Sequence, residues 1–280
     1  MKFGYTINNK LMMNSNGKLI GVEVNNDPYN PLGLPSNTMR VRTNDGKPPI
    51  KNQFTNYETA TLVEGKTDVY DVYKSGNRFY RFLEGSTNVI EVLGANTNDV
   101  INMNDMFNDC ISLTSISLFD TSTVKSMNYM FNSCSSLSSV PLFNTSNVTE
   151  MISMFGGCTS LTSVPLFNTS NVTSMNTMFY NCKSLTSFPQ LDTNNVIVTN
   201  GMFWLCTSLT SIPLFDTSNV SSMSEMFRYC TNVQSGALDL YQQASTQTNP
   251  PINHSRTFEA CGQDTQTGSA ELAQIPSDWK

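Results

Sequence analysis

The sequence predicts an α/β solenoid in which each 24-residue coil contributes one short strand and one short helix. A Met-Phe pair recurs six times at this interval, and a cysteine follows each phenylalanine three residues later. Repeats of this length are typical of solenoids, because one unit cannot bury its apolar face without a neighbour. The repeated phenylalanines are Phe107, Phe131, Phe155, Phe179, Phe203 and Phe227, and the cysteines are Cys110, Cys134, Cys158, Cys182, Cys206 and Cys230.

The apolar spacing within a unit indicates the helix. Val148, Met151, Met154, Phe155 and Cys158 stand at offsets of 0, 3, 6, 7 and 10 residues, which is the spacing of one helical face. An Asp or Asn followed by Thr precedes each such segment and can accept hydrogen bonds from the first free helix amides. We therefore expect a short helix after each Asx-Thr pair.

The segment before each Asx-Thr pair is interpreted as a brief strand. Residues 161–167 are bulky or β-branched at alternate positions and are followed by a turn-forming Asn. Stacked coils would align equivalent positions into columns of Val, Met, Phe, Cys and Leu. The phenylalanines that precede the Asx residues are expected to be at least half buried at the corner between strand and helix; they are Phe119, Phe143, Phe167 and Phe215.

The consensus C-x-x-L-x-x-[IV]-P-L-F-[DN]-T-S-x-V-x-x-M-x-x-M-F-x-x-C resembles the repeat of BspA-like leucine-rich-repeat surface proteins, from about residue 89 to 261. This resemblance implies a leucine-rich-repeat-like fold and a non-enzymatic surface or adhesion protein, because that family is defined by its scaffold. Three places depart from the consensus: Ser117 replaces Pro, Gln190-Leu191 replaces Leu-Phe, and Thr199 replaces Met.

The sequence divides the chain into three parts: a β-rich head over residues 1–88, the solenoid over 89–233 and a capping segment over 234–280. In the head, residues 39–42 and 61–63 are predicted strands, and 68–73 with 78–83 are predicted to form a hairpin. Residues 26–35 are rich in Asn and Pro and are either an extended anchoring arm or a packed loop. Two short helices are expected in the cap, at 237–244 and 269–274.

Charge and hydropathy argue against two classes of partner. Eleven basic and eight acidic residues lie within residues 1–88, whereas the remaining 192 residues carry five basic and fourteen acidic ones. Neither part has a dense basic patch with interleaved aromatic residues, so nucleic-acid binding is not expected. No segment has the apolar run of a membrane span or of a secretory signal, so membrane insertion is not expected either.

A repeat typical of surface proteins without a visible leader suggests a virion, because phage particles assemble in the cytoplasm. Residues 33–42 and 273–280 resemble the flanks of repeat proteins from phages of gut bacteria. The leading hypothesis is therefore a phage virion component, such as a fibre, decoration or receptor-recognition protein, whose head binds other virion subunits. The alternative is a bacterial cell-surface adhesin of the BspA-like type, with its leader outside this sequence, that binds a host protein or a glycan.

The sequence offers little material for catalysis, and we expect neither catalytic residues nor a metal or cofactor. His254 is the only histidine, and the seven cysteines lack the C-x-x-C spacing of metal sites. Buried thiols are the preferred interpretation of the cysteine column, over disulfides between neighbouring coils or a metal site. The Asn-x-Ser/Thr sequons at Asn147, Asn171 and Asn219 are attributed to the repeat itself.

The candidate binding site lies at the two positions after each repeated phenylalanine, which should point away from the core. Large residues occur there together on adjacent coils and are of the types that dominate interface energetics: Tyr180, Trp204, Leu205, Arg228 and Tyr229. We expect this patch to bind a sugar ring or a protein partner. In the alternative interpretation, these side chains only cover one another or pack against the cap.

Overall fold

The computed structural model of the chain describes residues 9–13, 19–24, 30–53, 55–76 and 79–280. Strands β1 (Asn9–Met13) and β2 (Leu19–Val24) form an antiparallel pair. A second sheet contains five strands in the order β4-β5-β3-β6-β7, with β7 parallel to β6 and the other pairs antiparallel. Its strands are β3 (Thr38–Thr43), β4 (Thr59–Leu62), β5 (Val69–Tyr73), β6 (Val89–Ala95) and β7 (Ser115–Ile116).

The strands predicted at 39–42 and 68–73 are confirmed as β3 and β5, and the strand predicted at 61–63 begins two residues earlier, as β4. The predicted hairpin between 68–73 and 78–83 is wrong, because β5 pairs with β3 and β4. In the suggested arm or loop at 26–35, residues 26–29 lie outside the described part. The rest is a closed turn, in which the Asn30 side chain bonds both the amide and the carbonyl of Leu34.

Residues 79–86 form the first coil of the stack, ahead of the predicted start at residue 89. The amides of Phe79, Arg81 and Leu83 donate to carbonyl oxygens 23 residues further on, at 2.8–3.0 Å. Phe79, Phe82 and Leu83 are fully buried and belong to one hydrophobic cluster that extends from Met39 to Trp279. The sheet and the coils therefore share a single core.

The predicted helix in each coil is wrong, and with it the α/β leucine-rich-repeat-like fold class. Residues 79–236 are all described and contain no helix. Two residues per coil have a left-handed backbone, with φ between 49° and 74°, and each interrupts a right-handed helix. One series is Asp105, Tyr129, Ser153, Thr177, Gly201 and Glu225, and the other is Asp109, Ser133, Gly157, Asn181, Leu205 and Tyr229.

Hydrogen bonds to the neighbouring coil replace those of a helix. The amides of Met106 and Cys110 donate to the carbonyl three residues earlier in their own coil. The amides of Asp105 and Phe107 donate instead to the following coil, at Asn128 and Met130, over 2.9 Å each. Alternate amides thus bond within and between coils, and this satisfies the backbone without an α-helix.

The strand predicted in each coil is also wrong, except in the first full coil. Proline stands in the middle of the predicted strand in four coils, where it cannot donate a ladder hydrogen bond; these are Pro141, Pro165, Pro189 and Pro213. Ser117 replaces proline in the first full coil, and its amide donates to the Val92 carbonyl at 2.9 Å. There alone among residues 102–235 a strand forms, namely β7 beside β6. The fold is therefore a small mixed sheet continued by a stack of turn-rich coils.

The predicted contact between residues 24 positions apart is confirmed. The rings of Phe131, Phe155 and Phe179 stack with centroids 5.6 Å apart and planes within 6° of parallel. All described repeat cysteines and methionines are buried, and Phe119, Phe143, Phe167 and Phe215 are at most 2% exposed. A column of buried threonines adds a polar ladder, since Thr145 Oγ1 donates to Asn168 and Thr169 Oγ1 to Asp192, both at 2.7 Å.

Two short helices close the stack: α1 (Ala237–Thr246) and α2 (Gln266–Gln274), followed by a 3-10 turn at Ser277–Trp279. Both helices were predicted from the sequence and are confirmed. The phenylalanine column continues to Phe258, and Trp279 packs 6.2 Å from that ring. The imidazole ring of His254 stacks on the indole ring of Trp279, with 4.1 Å between the ring centroids. The last residues therefore cover the end of the core.

Candidate functional site

The five residues singled out by the sequence lie together on one edge of the coil stack, and we refer to them as the aromatic strip: Tyr180, Trp204, Leu205, Arg228 and Tyr229. All five are partly exposed, whereas the phenylalanine before each pair is fully buried. The strip spans three successive coils. It is positioned by the same columns that form the core.

The aromatic rings and the guanidinium of the strip are in direct contact. The Tyr180 and Trp204 rings lie 5.1 Å apart at an angle of 55°. The Arg228 guanidinium carbon is 5.3 Å from the Trp204 ring centroid and 4.8 Å from that of Tyr229, within cation–π range. These side chains therefore cover one another in part, while each of the five keeps some exposed surface.

Ion pairs hold Arg228 in this position. Its Nη1 lies 2.8 Å from Glu225 Oε1, and its Nε lies 2.8 Å from Glu259 Oε2. The Tyr229 hydroxyl donates to Glu259 Oε1 at 3.2 Å. Arg256 approaches the same two carboxylates at 3.6 and 3.8 Å, so two positive charges face two negative ones. The positive charges at the strip are therefore balanced by nearby carboxylates.

The backbone under the strip also contributes to its shape. Leu205 and Tyr229 occupy left-handed positions, with φ of 65° and 59°. Gly201 (φ 57°) lies beneath Trp204, and an added Cβ there would come within 3.8 Å of the indole and 3.3 Å of Thr177 Cγ2. An added Cβ would thus be in ordinary van der Waals contact with the indole and closer to Thr177, so the Trp204 ring packs directly over the backbone at Gly201.

The departures from the consensus do not all belong to the strip. Thr199 is buried in the core, with its hydroxyl 3.4 Å from Met226 Sδ. Gln190 lies instead beside α1, where its Nε2 donates to the Leu214 carbonyl at 2.6 Å. A groove at that place was missed by the sequence analysis. The replacement of Leu-Phe by Gln190-Leu191 was its only sequence signal.

The sequon asparagines have structural roles in the stack. The side-chain amides of Asn147, Asn171 and Asn219 each donate to a carbonyl oxygen of the preceding coil, at 2.6–2.7 Å. Asn195, which is not part of a sequon, makes the same contact with Ser170. The recurrence of asparagine at this position therefore follows from the geometry of the stack.

The thiols are buried, free and protonated. Each repeat cysteine donates its S–H to a carbonyl oxygen of the preceding coil, at 3.0–3.1 Å. Burial raises the pKa of every one of them, that of Cys206 to about 12. A nucleophilic or metal-binding cysteine needs the opposite shift. In the described part of the chain, no three His, Cys, Asp or Glu side chains are grouped as metal ligands.

Comparison with known proteins gives one match. A family model described as "Mycoplasma protein of unknown function, DUF285" matches residues 77–187, 137–241 and 161–263, which together cover about two thirds of the chain. Neither the curated proteins nor the solved structures gave a match. None of the described helices is long and apolar enough to cross a membrane. The three matched segments overlap one another along the stack of coils and together cover more than half of the chain, and the chain therefore belongs to the DUF285 family.

Proposed function

We propose that the chain is a non-enzymatic structural and binding protein that recognises a partner through the aromatic strip. The observation that carries this proposal is the contact of Tyr180, Trp204 and Arg228 on successive coils. Tyr, Trp and Arg are enriched among the residues that dominate binding energy, and aromatic faces stack on sugar rings or on apolar protein surfaces. The buried, protonated thiols support a role that is not catalytic.

Preorganisation of the strip supports the same proposal. Arg228 is 16% exposed and is already fixed by two carboxylates, so little side-chain entropy remains to be lost when a partner binds. The ring faces are likewise held by one another. A glycan or a protein partner would therefore contact a surface whose shape is set before binding.

The proposal is tested by glycan-array and host-cell binding of the wild-type protein and of Trp204→Ala and Tyr180→Ala. Loss of a central aromatic side chain at an interface costs about 2 kcal/mol or more, so we expect affinity to fall roughly thirtyfold. Tyr73→Ala is the matched control, because Tyr73 is 37% exposed but lies on β5. Unchanged binding by the two strip variants, with unchanged melting temperatures, would reject the strip as the site.

For the setting in which the protein acts, we keep the hypothesis drawn from the sequence. We propose a virion component whose residues 1–88 contact other particle proteins, with a BspA-like bacterial surface adhesin as the alternative. Mass spectrometry of purified particles distinguishes the two. Detection in particles at a defined copy number supports the virion assignment, and recovery only in bacterial envelope fractions supports the adhesin.

A further inference from the structure

A groove separates α1 from the two neighbouring coils that contain Gln190 and Leu214. It has two lobes, of about 570 and 380 Å³, which share Leu214 and Gln243. The larger lobe is lined by Ile212 and Leu214 and by the Asp239, Gln242 and Thr246 side of α1. The smaller lobe continues past Leu214 between Gln190 and Asp216. The two lobes thus adjoin at Leu214 and Gln243 and together span two coils.

Close backbone contacts fix the walls of the groove. Gly236 precedes α1 with φ of 94°, and an added Cβ there would lie 2.1 Å from the Ile212 carbonyl oxygen. The Ile212 amide donates to Ser235 at 3.0 Å. On the other side, the Gln190 side chain bonds the Leu214 carbonyl at 2.6 Å. Helix α1 is therefore held at a set distance from the coils, and the groove is preformed.

The groove combines an apolar floor with unpaired negative charge. Leu214 is 54% exposed, and Asp192, Asp216 and Asp239 lie around it. None of these three carboxylates takes part in an ion pair among the described residues, and no Lys or Arg of that part lines either lobe. The groove is therefore complementary to a group that carries both an apolar stem and a positive charge.

We propose that this groove binds an extended segment of a partner protein through an arginine or lysine that stands next to an apolar residue. The alkyl stem of such a side chain packs on Leu214 and Ile212 while its cationic end lies among the carboxylates. A free metal ion fits less well, because the described carboxylates are not grouped as ligands. Leu142 and Leu166, 58% and 60% exposed, precede Gln190 in the same column and extend the apolar surface along the stack.

The repeat itself supplies a variant that removes the charge and keeps the fold. Asp192 and Asp216 each accept an amide hydrogen bond two residues later, at 3.0 and 2.8 Å. Asn144 and Asn168 occupy the same position in other coils and accept the same bond at 3.1 Å. The triple substitution Asp192→Asn, Asp216→Asn and Asp239→Asn therefore neutralises the groove while the turns are retained.

A control variant with the same change in net charge separates the groove from general electrostatics. Asp120→Asn makes the same substitution at the equivalent position of the first full coil, where the Asp accepts the Ser122 amide at 2.8 Å. The control variant also carries Asp264→Asn and Glu64→Gln, which neutralise two further exposed carboxylates outside the groove. Both triple variants should melt at the temperature of the wild-type protein.

The test is fluorescence anisotropy with a labelled synthetic peptide in which arginine alternates with leucine, at physiological ionic strength. The groove variant should bind about tenfold more weakly than the wild-type protein, because three partly exposed ion pairs are lost, and the control variant less than about twofold more weakly. A peptide with serine in place of leucine should also bind weakly.

Three results would overturn the proposal. The first is equal weakening in both triple variants, which indicates general charge attraction. The second is no binding of the arginine-leucine peptide by the wild-type protein at millimolar concentration. The third is self-association, seen by sedimentation velocity and abolished only in the groove variant, which assigns the groove to a second copy of this chain. The aromatic strip is unchanged in all of these variants, so the outcome is independent of the proposed function.

Discussion

Replacement of Phe155 tests whether the aromatic column carries the stability of the stack. Phe155 is fully buried, and its ring stacks on Phe131 and Phe179 at 5.6 Å and on Phe167 at 6.1 Å. Phe155→Ala removes a buried ring and leaves a cavity, which costs about 3–5 kcal/mol of unfolding free energy. Phe155→Leu keeps most of the apolar volume but loses three ring contacts, and we expect a cost of roughly 1–3 kcal/mol.

Equilibrium urea unfolding measures both changes, with the fluorescence of Trp204 and Trp279 and far-ultraviolet circular dichroism as independent probes. Leu166→Ala is the control, because Leu166 belongs to the coil that follows and is 60% exposed; its cost should stay within about 0.5 kcal/mol. If Phe155→Ala were no more destabilising than Leu166→Ala, the column would not be the structural core, and the reasoning from its contacts would be refuted.

Three further predictions concern acid titration, the end of the stack and the thiols. Burial, opposed by Arg81, raises the pKa of Asp105, so its charged form opposes folding at neutral pH. Asp105→Asn should therefore raise the melting temperature at pH 7, and this gain should shrink as the pH falls towards about 4; a gain that stays constant over this range would contradict the reasoning. Trp279→Ala, at a buried residue that covers Phe258, should cost about 3–5 kcal/mol in urea unfolding, and a cost below about 1 kcal/mol would contradict its role as a cover. Iodoacetamide at pH 8 should modify none of the cysteines in the folded protein and all seven after unfolding, as counted by mass spectrometry; rapid labelling of the folded chain would contradict the burial of the column.

The two candidate binding surfaces differ in how far the sequence could reveal them. The aromatic strip lies at fixed offsets from the repeated phenylalanines, so the 24-residue period alone brings Tyr180, Trp204 and Arg228 together. The groove depends on where α1 packs after the repeat has ended. The sequence located α1 but contained no periodic signal for the coils it faces, and so only the substitution at Gln190 marked the place.

The left-handed residues explain why the helix prediction failed. Asp, Asn and Gly adopt positive φ more readily than other residues, but Leu205, Tyr229 and Tyr129 do so here as well. For these residue types the local preference is for a right-handed backbone. Hydrogen bonds to the next coil, such as that from the Leu205 amide to Arg228 at 2.9 Å, offset the cost. The residue types at these positions therefore did not predict the left-handed backbone.

The sequence by itself determined which side chains meet, because identical apolar residues every 24 positions can be buried only against their equivalents in the next coil. It also determined the two closing helices and the buried thiol column. Only the tertiary structure decided the conformation of the backbone between those contacts. Offsets of 0, 3, 6, 7 and 10 bring residues such as Val148 and Cys158 to one side of a helix, but a series of turns with two left-handed residues does the same. The turns prevail because bonds between stacked coils, which no single coil can form, satisfy the alternate amides.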